Sequence, residues 1–237
     1  MMYKNLNIQR KVSKILLKAL SEHGFALAGS GAIREHNLIT RATEDIDLFT
    51  IKQYENTFQQ AVEIALKAIH SNSFAAQAKL NGSFARIVIE IDNTTTLTVD
   101  MGVDFRSQKP AVLEIGQVLS LEDAVGSKVA ALYSRGEDRD FLDVDAIRQS
   151  EKFDDKELIH LAKNIDAGFD LKYFAARLKD AEKINIESVS KYSITKPQLD
   201  QIKHRYTVWC NQILEAMRQT PFIQKILAKL SLRKFEE

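Results

Sequence analysis

The stretch RATEDIDLF, residues 41–49, decides how the rest of the chain is read. Asp45 and Asp47 alternate with Ile46 and Leu48, which is the two-residue period of a half-buried strand. Residues two apart on a strand point to one face, so the two aspartates project together while Ile46 and Leu48 enter the core. Carboxylates held within ~5 Å of each other repel unless a cation or strong donors lie between them. A divalent metal resolves that conflict. Hard oxygen ligands on a rigid strand suit magnesium, which takes few protein carboxylates and completes its shell with substrate phosphate. Asp-x-Asp is also common at strand ends and in surface turns, so the neighbouring sequence has to carry the weight.

Upstream, FALAGSGAIREH (residues 25–36) reads as a short buried strand from Phe25 to Ala28, a Gly/Ser turn and the start of a helix. Backbone N–H groups of such a turn can cradle phosphate oxygens, with the Ser30 hydroxyl adding a contact; a purely structural turn is the alternative. It is not a Walker A loop, because no Lys-Ser/Thr pair follows the glycines. Downstream, SFARIVIEI (residues 83–91) and TTTLTVDMGVDF (residues 94–105) are β-rich runs joined through Asp92-Asn93. A hairpin of open register is predicted. Asp100 falls on the Thr96/Thr98 face, away from Leu97 and Val99, and could supply a third carboxylate. Asp104 shares its parity, and Glu90 is a weaker candidate from the partner strand.

The chain has 237 residues, 45% hydrophobic and 27% charged, with a net charge of +1. That is an ordinary globular composition, and it argues against a protein that coats nucleic acid generally. A lone cysteine, Cys210, permits no internal disulfide and points to a reducing compartment, so a cytoplasmic location is expected. No window approaches the ~20 apolar residues of a membrane span, and no apolar run follows the basic N-terminus as in a signal peptide.

Helical periods run through residues 8–22 and 55–70, through LSLEDAVGSKVAALYSR (residues 119–135) with Ser120 as cap, and through GEDRDFLDVDAIRQ (residues 136–149). Beyond about residue 150 the pattern is wholly helical, with Pro221 expected to separate two helices of the last stretch. The expected fold is therefore α/β (α+β): a mixed sheet flanked by helices over residues 1–150, then a helical domain over 151–237 packed on it. KHRYTVW (residues 203–209) interleaves basic and aromatic residues in the manner of an RNA-facing surface, but Tyr206, Trp209 and Ile213 at helical spacing fit a core stripe.

Gly-Ser, a helix and then Asp-x-Asp on a strand resemble the nucleotidyltransferase superfamily that includes DNA polymerase beta and the tRNA CCA-adding enzymes. The detailed wording is closer to the AbiEii/AbiGii toxin-type nucleotidyltransferases. Gly29-Ser30 and Arg41, Thr43, Asp45, Ile46, Asp47 and Leu48 match that family's first block. Lys128, Arg135, Arg139, Asp140 and Asp143 match its later one. The likeness spans roughly residues 25–147. One departure is Gly29-Ser30-Gly31, where toxin relatives commonly carry Gly-Gly-Thr.

The resemblance implies a nucleotidyltransferase catalytic domain over residues 1–150 that moves a nucleoside monophosphate from an NTP to a hydroxyl. Asp45, Asp47 and Asp100 would be catalytic and hold two Mg2+ ions, with Mn2+ as a substitute. Gly29, Ser30, Arg41, Thr43, Lys128, Arg135, Arg139, Asp140 and Asp143 would serve the NTP site. Lys128 on its helix could instead be a lysine snorkelling at the core margin, and Arg139-Asp140 a plain surface pair. A tRNA or other RNA acceptor, a toxin role and an antitoxin protein partner follow from the resemblance, with no membrane. A small-molecule or protein nucleotidyltransferase, and an inactive interaction module of the same fold, stay open as alternatives.

Overall fold

The computed structural model describes residues 2–233, with side chains described for residues 7–219. Helix α1 (Met2–Ala19) leads through a short turn into β1 (Ala26–Leu27), α2 (Gly29–Glu35), β2 (Asp45–Thr50) and α3 (Phe58–Ser71). Three longer strands follow, β3 (Ala75–Asn81), β4 (Phe84–Asp92) and β5 (Thr95–Val103), and then two short ones, β6 (Ala111–Leu113) and β7 (Gly116–Val118). The remainder is helical: α4 (Leu121–Ser134), α5 (Asp138–Gln149), α6 (Asp155–Ile165), α7 (Leu171–Leu178), α8 (Ile186–Val189) and α9 (Lys196–Arg233). The expected class holds: a mixed sheet with helices, followed by a helical C-terminal region.

Two compact units divide the chain, residues 1–130 with 146–167 and residues 131–145 with 168–237. In the first, the described strands form one seven-stranded sheet in the order β3-β4-β5-β2-β1-β7-β6. β2 and β5 run parallel, while β1–β2, β3–β4 and β4–β5 are antiparallel. Alternation sets the two faces. Ile46 and Leu48 of β2, Ala85, Ile87 and Ile89 of β4, and Leu97, Val99 and Met101 of β5 are all buried. So are Val12 and Leu16 of α1 and Val62, Ala65 and Ile69 of α3, two helices that touch each other. Burying a side chain of this kind contributes roughly 1.5–3 kcal/mol, so the apolar positions of each strand fix which face is left for Asp45, Asp47 and Asp100.

The hairpin closes one residue later than Asp92-Asn93 suggests: Asp92 pairs with Thr95, and the register shifts between Glu90 and Asp92. That irregularity places Arg86 of β4 directly opposite Asp100 of β5, while Asp100 in turn lies opposite Asp47 of β2. Ser120 caps α4 as expected, its Oγ accepting from Asp123 N at 3.0 Å. The buried Asp123 carboxylate serves the 107–108 loop, accepting from Ser107 N, Ser107 Oγ and Gln108 N.

The second unit is built around aromatic packing. Tyr206, Trp209 and Ile213 are buried, the first two 0% and 1% exposed, and form the expected core stripe. Trp209 packs edge-on against Phe174, and Tyr206 against Phe141. The cations just before Tyr206 are tied down as well: Arg205 grips Asp145 with two 2.7 Å bonds, and Lys203 Nζ donates to Glu182 O. α9 continues through Pro221, where the sequence suggests a break.

Candidate active site

The sheet face opposite the core carries the acidic side chains. Asp45 and Asp47 point the same way from β2, and Asp100, paired with Asp47 across the parallel ladder, joins them from β5. One carboxylate oxygen from each lies within 4.8 Å of the other two. The donors are hard, anionic oxygens on adjacent strands, and Asp100 is only 8% exposed. Such a cluster fits a divalent cation site; without a cation the like charges would oppose one another. Asp104 falls past the end of β5, its carboxylate accepting from Phe105 N, and Glu90 is exposed on β4, so Asp100 is the third member.

The turn after β1 is fitted to this cluster. Ala28 N donates to Asp47 O at 2.8 Å, closing the turn onto β2. Gly29 has φ +56°, and a β-carbon there would lie 1.8 Å from Asp47 Oδ2. Left-handed backbone and this close approach each require glycine. Ser30 follows in the first turn of α2, buried, and its Oγ accepts from Lys128 Nζ at 3.0 Å and from Arg41 Nη2 at 2.9 Å. Lys128 is therefore no snorkelling residue. It is 6% exposed, and its ammonium is directed at the Gly/Ser turn.

Arg41 and Thr43 belong to the loop that leads into β2. The Arg41 guanidinium also donates to Ala42 O. Thr43 is buried: its hydroxyl donates to Gln9 Oε1 at 2.9 Å and accepts from Arg34 Nη1 at 3.2 Å, while Gln9 Nε2 donates to Thr43 O at 2.7 Å. α1 thereby grips the loop two residues ahead of Asp45. Burial pulls the pKa of Arg34 below the ordinary guanidinium value, with Arg10 and Arg41 acting in the same sense and Glu35 against it.

Arg135, Arg139, Asp140 and Asp143 lie in the second unit. Arg135 holds Asp140 through two bonds of 2.8 and 3.0 Å, and Asp140 also accepts from Glu137 N, so the pair staples the turn between α4 and α5. Asp140 and Asp143 are both fully buried, and Arg139 pairs with Glu137 at 2.8 Å.

Arg86 is the residue the sequence did not single out. Its Nε and Nη2 each donate to one oxygen of Asp100 at 2.7 Å. The bonded Asp100 raises its pKa first, and the charges of Asp45 and Asp47 raise it further. Alternation within Phe84–Asp92 does place Arg86 on the face away from Ala85 and Ile87, but only the hairpin register sets it against Asp100.

Among the described residues, no helix is long and apolar enough to cross a membrane. Solved structures that share the fold include the following three. JHP933 from Helicobacter pylori is 20% identical, with 95% of this chain and 98% of that one covered and a TM-score of 0.53. A putative nucleotidyltransferase from H. pylori is 21% identical over 93% and 99% of the two chains, with a TM-score of 0.54. MenT4, the nucleotidyltransferase toxin Rv2826c from Mycobacterium tuberculosis H37Rv, is 12% identical over 94% and 92%, with a TM-score of 0.59. At such identities the likeness is one of fold. No curated protein matches the chain at a significant level. Residues 13–207 match the family described as nucleotidyl transferase AbiEii toxin, type IV TA system. With most of its length inside that match and a carboxylate cluster on its sheet, the protein belongs to the AbiEii family, nucleotidyltransferase-type enzymes within the DNA polymerase beta-like superfamily.

Proposed function

We propose that the chain transfers a nucleoside monophosphate from an NTP to a hydroxyl acceptor on RNA, tRNA foremost, and that this is the activity of a toxin restrained by an antitoxin protein. The observation that carries the reading is the convergence of Asp45, Asp47 and Asp100 beside a glycine that the approach of Asp47 requires. The match to a toxin family and the fold shared with a nucleotidyltransferase toxin support the biological role. NTP supply and the free thiol of Cys210 are consistent with a cytoplasmic setting.

In this reading Asp45, Asp47 and Asp100 would hold the two Mg2+ ions. When bound, the ions lower the pKa of the acceptor hydroxyl and offset the charge that builds on the leaving pyrophosphate. The new bond joins the acceptor oxygen to the α-phosphorus as the bond to the β-phosphate oxygen breaks. Asp100 takes the acceptor proton, and pyrophosphate leaves. Ser30 and the backbone N–H groups of its turn receive phosphate oxygens, with Lys128 and Arg41 supplying positive charge where they now meet Ser30. Thr43 positions the loop ahead of the carboxylates.

Incubating the full chain and Mg2+ with each labelled NTP, with and without total tRNA, tests this directly. Label transferred to tRNA supports the reading. Label on protein or on a small molecule assigns the acceptor elsewhere, and no Mg2+-dependent NTP binding at all points to an interaction module.

A further inference from the structure

Arg86, Asp100 and Asp47 stand in one row across β4, β5 and β2, each directly opposite the next. The pairing therefore costs Arg86 no long reach. Both Asp100 oxygens are engaged, one by Nε and one by Nη2, at 2.7 Å. The two partners are unequally held: the Arg86 side chain is 56% exposed and that of Asp100 only 12%. The carboxylate is fixed, while the guanidinium has water to move into.

We infer that Arg86 is a built-in counter-cation of the carboxylate cluster, holding Asp100 when no divalent ion is bound and competing with such an ion for it. The inference rests on the reading of Asp45, Asp47 and Asp100 as a cation site. A carboxylate offers about four lone-pair positions, and Arg86 takes one on each oxygen, so an ion can still reach Asp100. It does so beside a positive charge. At ~5 Å and water-like dielectric, repulsion between a monovalent and a divalent cation amounts to roughly one decade in affinity. Arg86 is thus a positioning residue that weakens metal binding and keeps the third ligand aligned in its absence. An ordinary exposed ion pair would contribute a little stability and leave metal affinity alone.

The test titrates Mn2+ alone, without nucleotide, into the full chain and follows free Mn2+ by electron paramagnetic resonance. Arg86→Gln removes the charge and should tighten the Kd about tenfold. Arg86→Lys keeps the charge but gives up the two-pronged grip and should tighten it about two- to threefold. Should Arg86→Gln fail to fold, Arg86→Lys reads the same quantity. Unchanged or weaker binding in the folded variants overturns the inference while leaving the metal site standing. If wild type and Asp47→Asn take up Mn2+ alike, the site itself is wrong and the inference falls with it.

Discussion

Gly29 and Asp47 are packed so closely that a β-carbon on the glycine would lie 1.8 Å from the aspartate's Oδ2. Gly29→Ala should therefore do two things, strain a left-handed backbone and push Asp47 out of line. The first costs roughly 1–2 kcal/mol. Gly82 isolates that cost, since its φ is +58° with nothing within 4 Å of an added β-carbon. Thermal unfolding should find Gly82→Ala destabilised about as strain alone requires, with Mn2+ affinity intact. Gly29→Ala should be less stable still and lose at least tenfold in Mn2+ affinity.

Asp47→Asn keeps the shape of the side chain and removes its charge. In a protein that remains folded by circular dichroism, kcat should fall by at least tenfold, more than the ~1 kcal/mol of an ordinary surface change would produce. A smaller loss would contradict the catalytic role. Chelation by EDTA should abolish turnover, and added Mg2+ should restore it.

Lys128→Met preserves length and apolar packing on α4 and deletes the ammonium that meets Ser30 Oγ. A hydrogen bond to a charged group is worth about 1.5–3 kcal/mol. Hence kcat/KM for the NTP should drop by roughly 10- to 100-fold. A large loss of stability with unchanged kcat/KM would make Lys128 a structural residue.

In the second unit the Tyr206 hydroxyl donates to Phe141 O at 2.7 Å, both partners buried. Tyr206→Phe leaves that carbonyl short of a donor, at a cost of about 1–2 kcal/mol. Chemical denaturation should register the loss, and Mn2+ affinity should not change.

Much of this arrangement is legible in the sequence because it follows from alternation. Asp45 and Asp47 must share a face once Ile46 and Leu48 are buried, and Asp100 follows from Leu97 and Val99 by the same rule. What stays hidden depends on pairing. A turn on Asp92-Asn93 would set Arg86 opposite Val99, and a regular hairpin on the turn actually used would set it opposite Met101. Only the shift between Glu90 and Asp92 brings it to Asp100. Strand β3, AAQAKLN, is poor in β-branched residues and lies at the sheet edge with little buried, so neither propensity nor pattern marks it. The three-residue strands β6 and β7 are too short to display a period. Gln9 reads as one polar position on α1, and its grip on Thr43 across 34 residues is purely tertiary.

That grip bears on how a minimal fragment should be cut. The family match begins at residue 13, and a truncated protein starting there would look complete by homology. It would nonetheless lack Gln9, leaving Thr43 without the partner that anchors both its carbonyl and its hydroxyl. Expression designs that trim the amino-terminal dozen residues would thereby loosen the segment delivering the first aspartate, although the deletion lies more than thirty positions away in the chain.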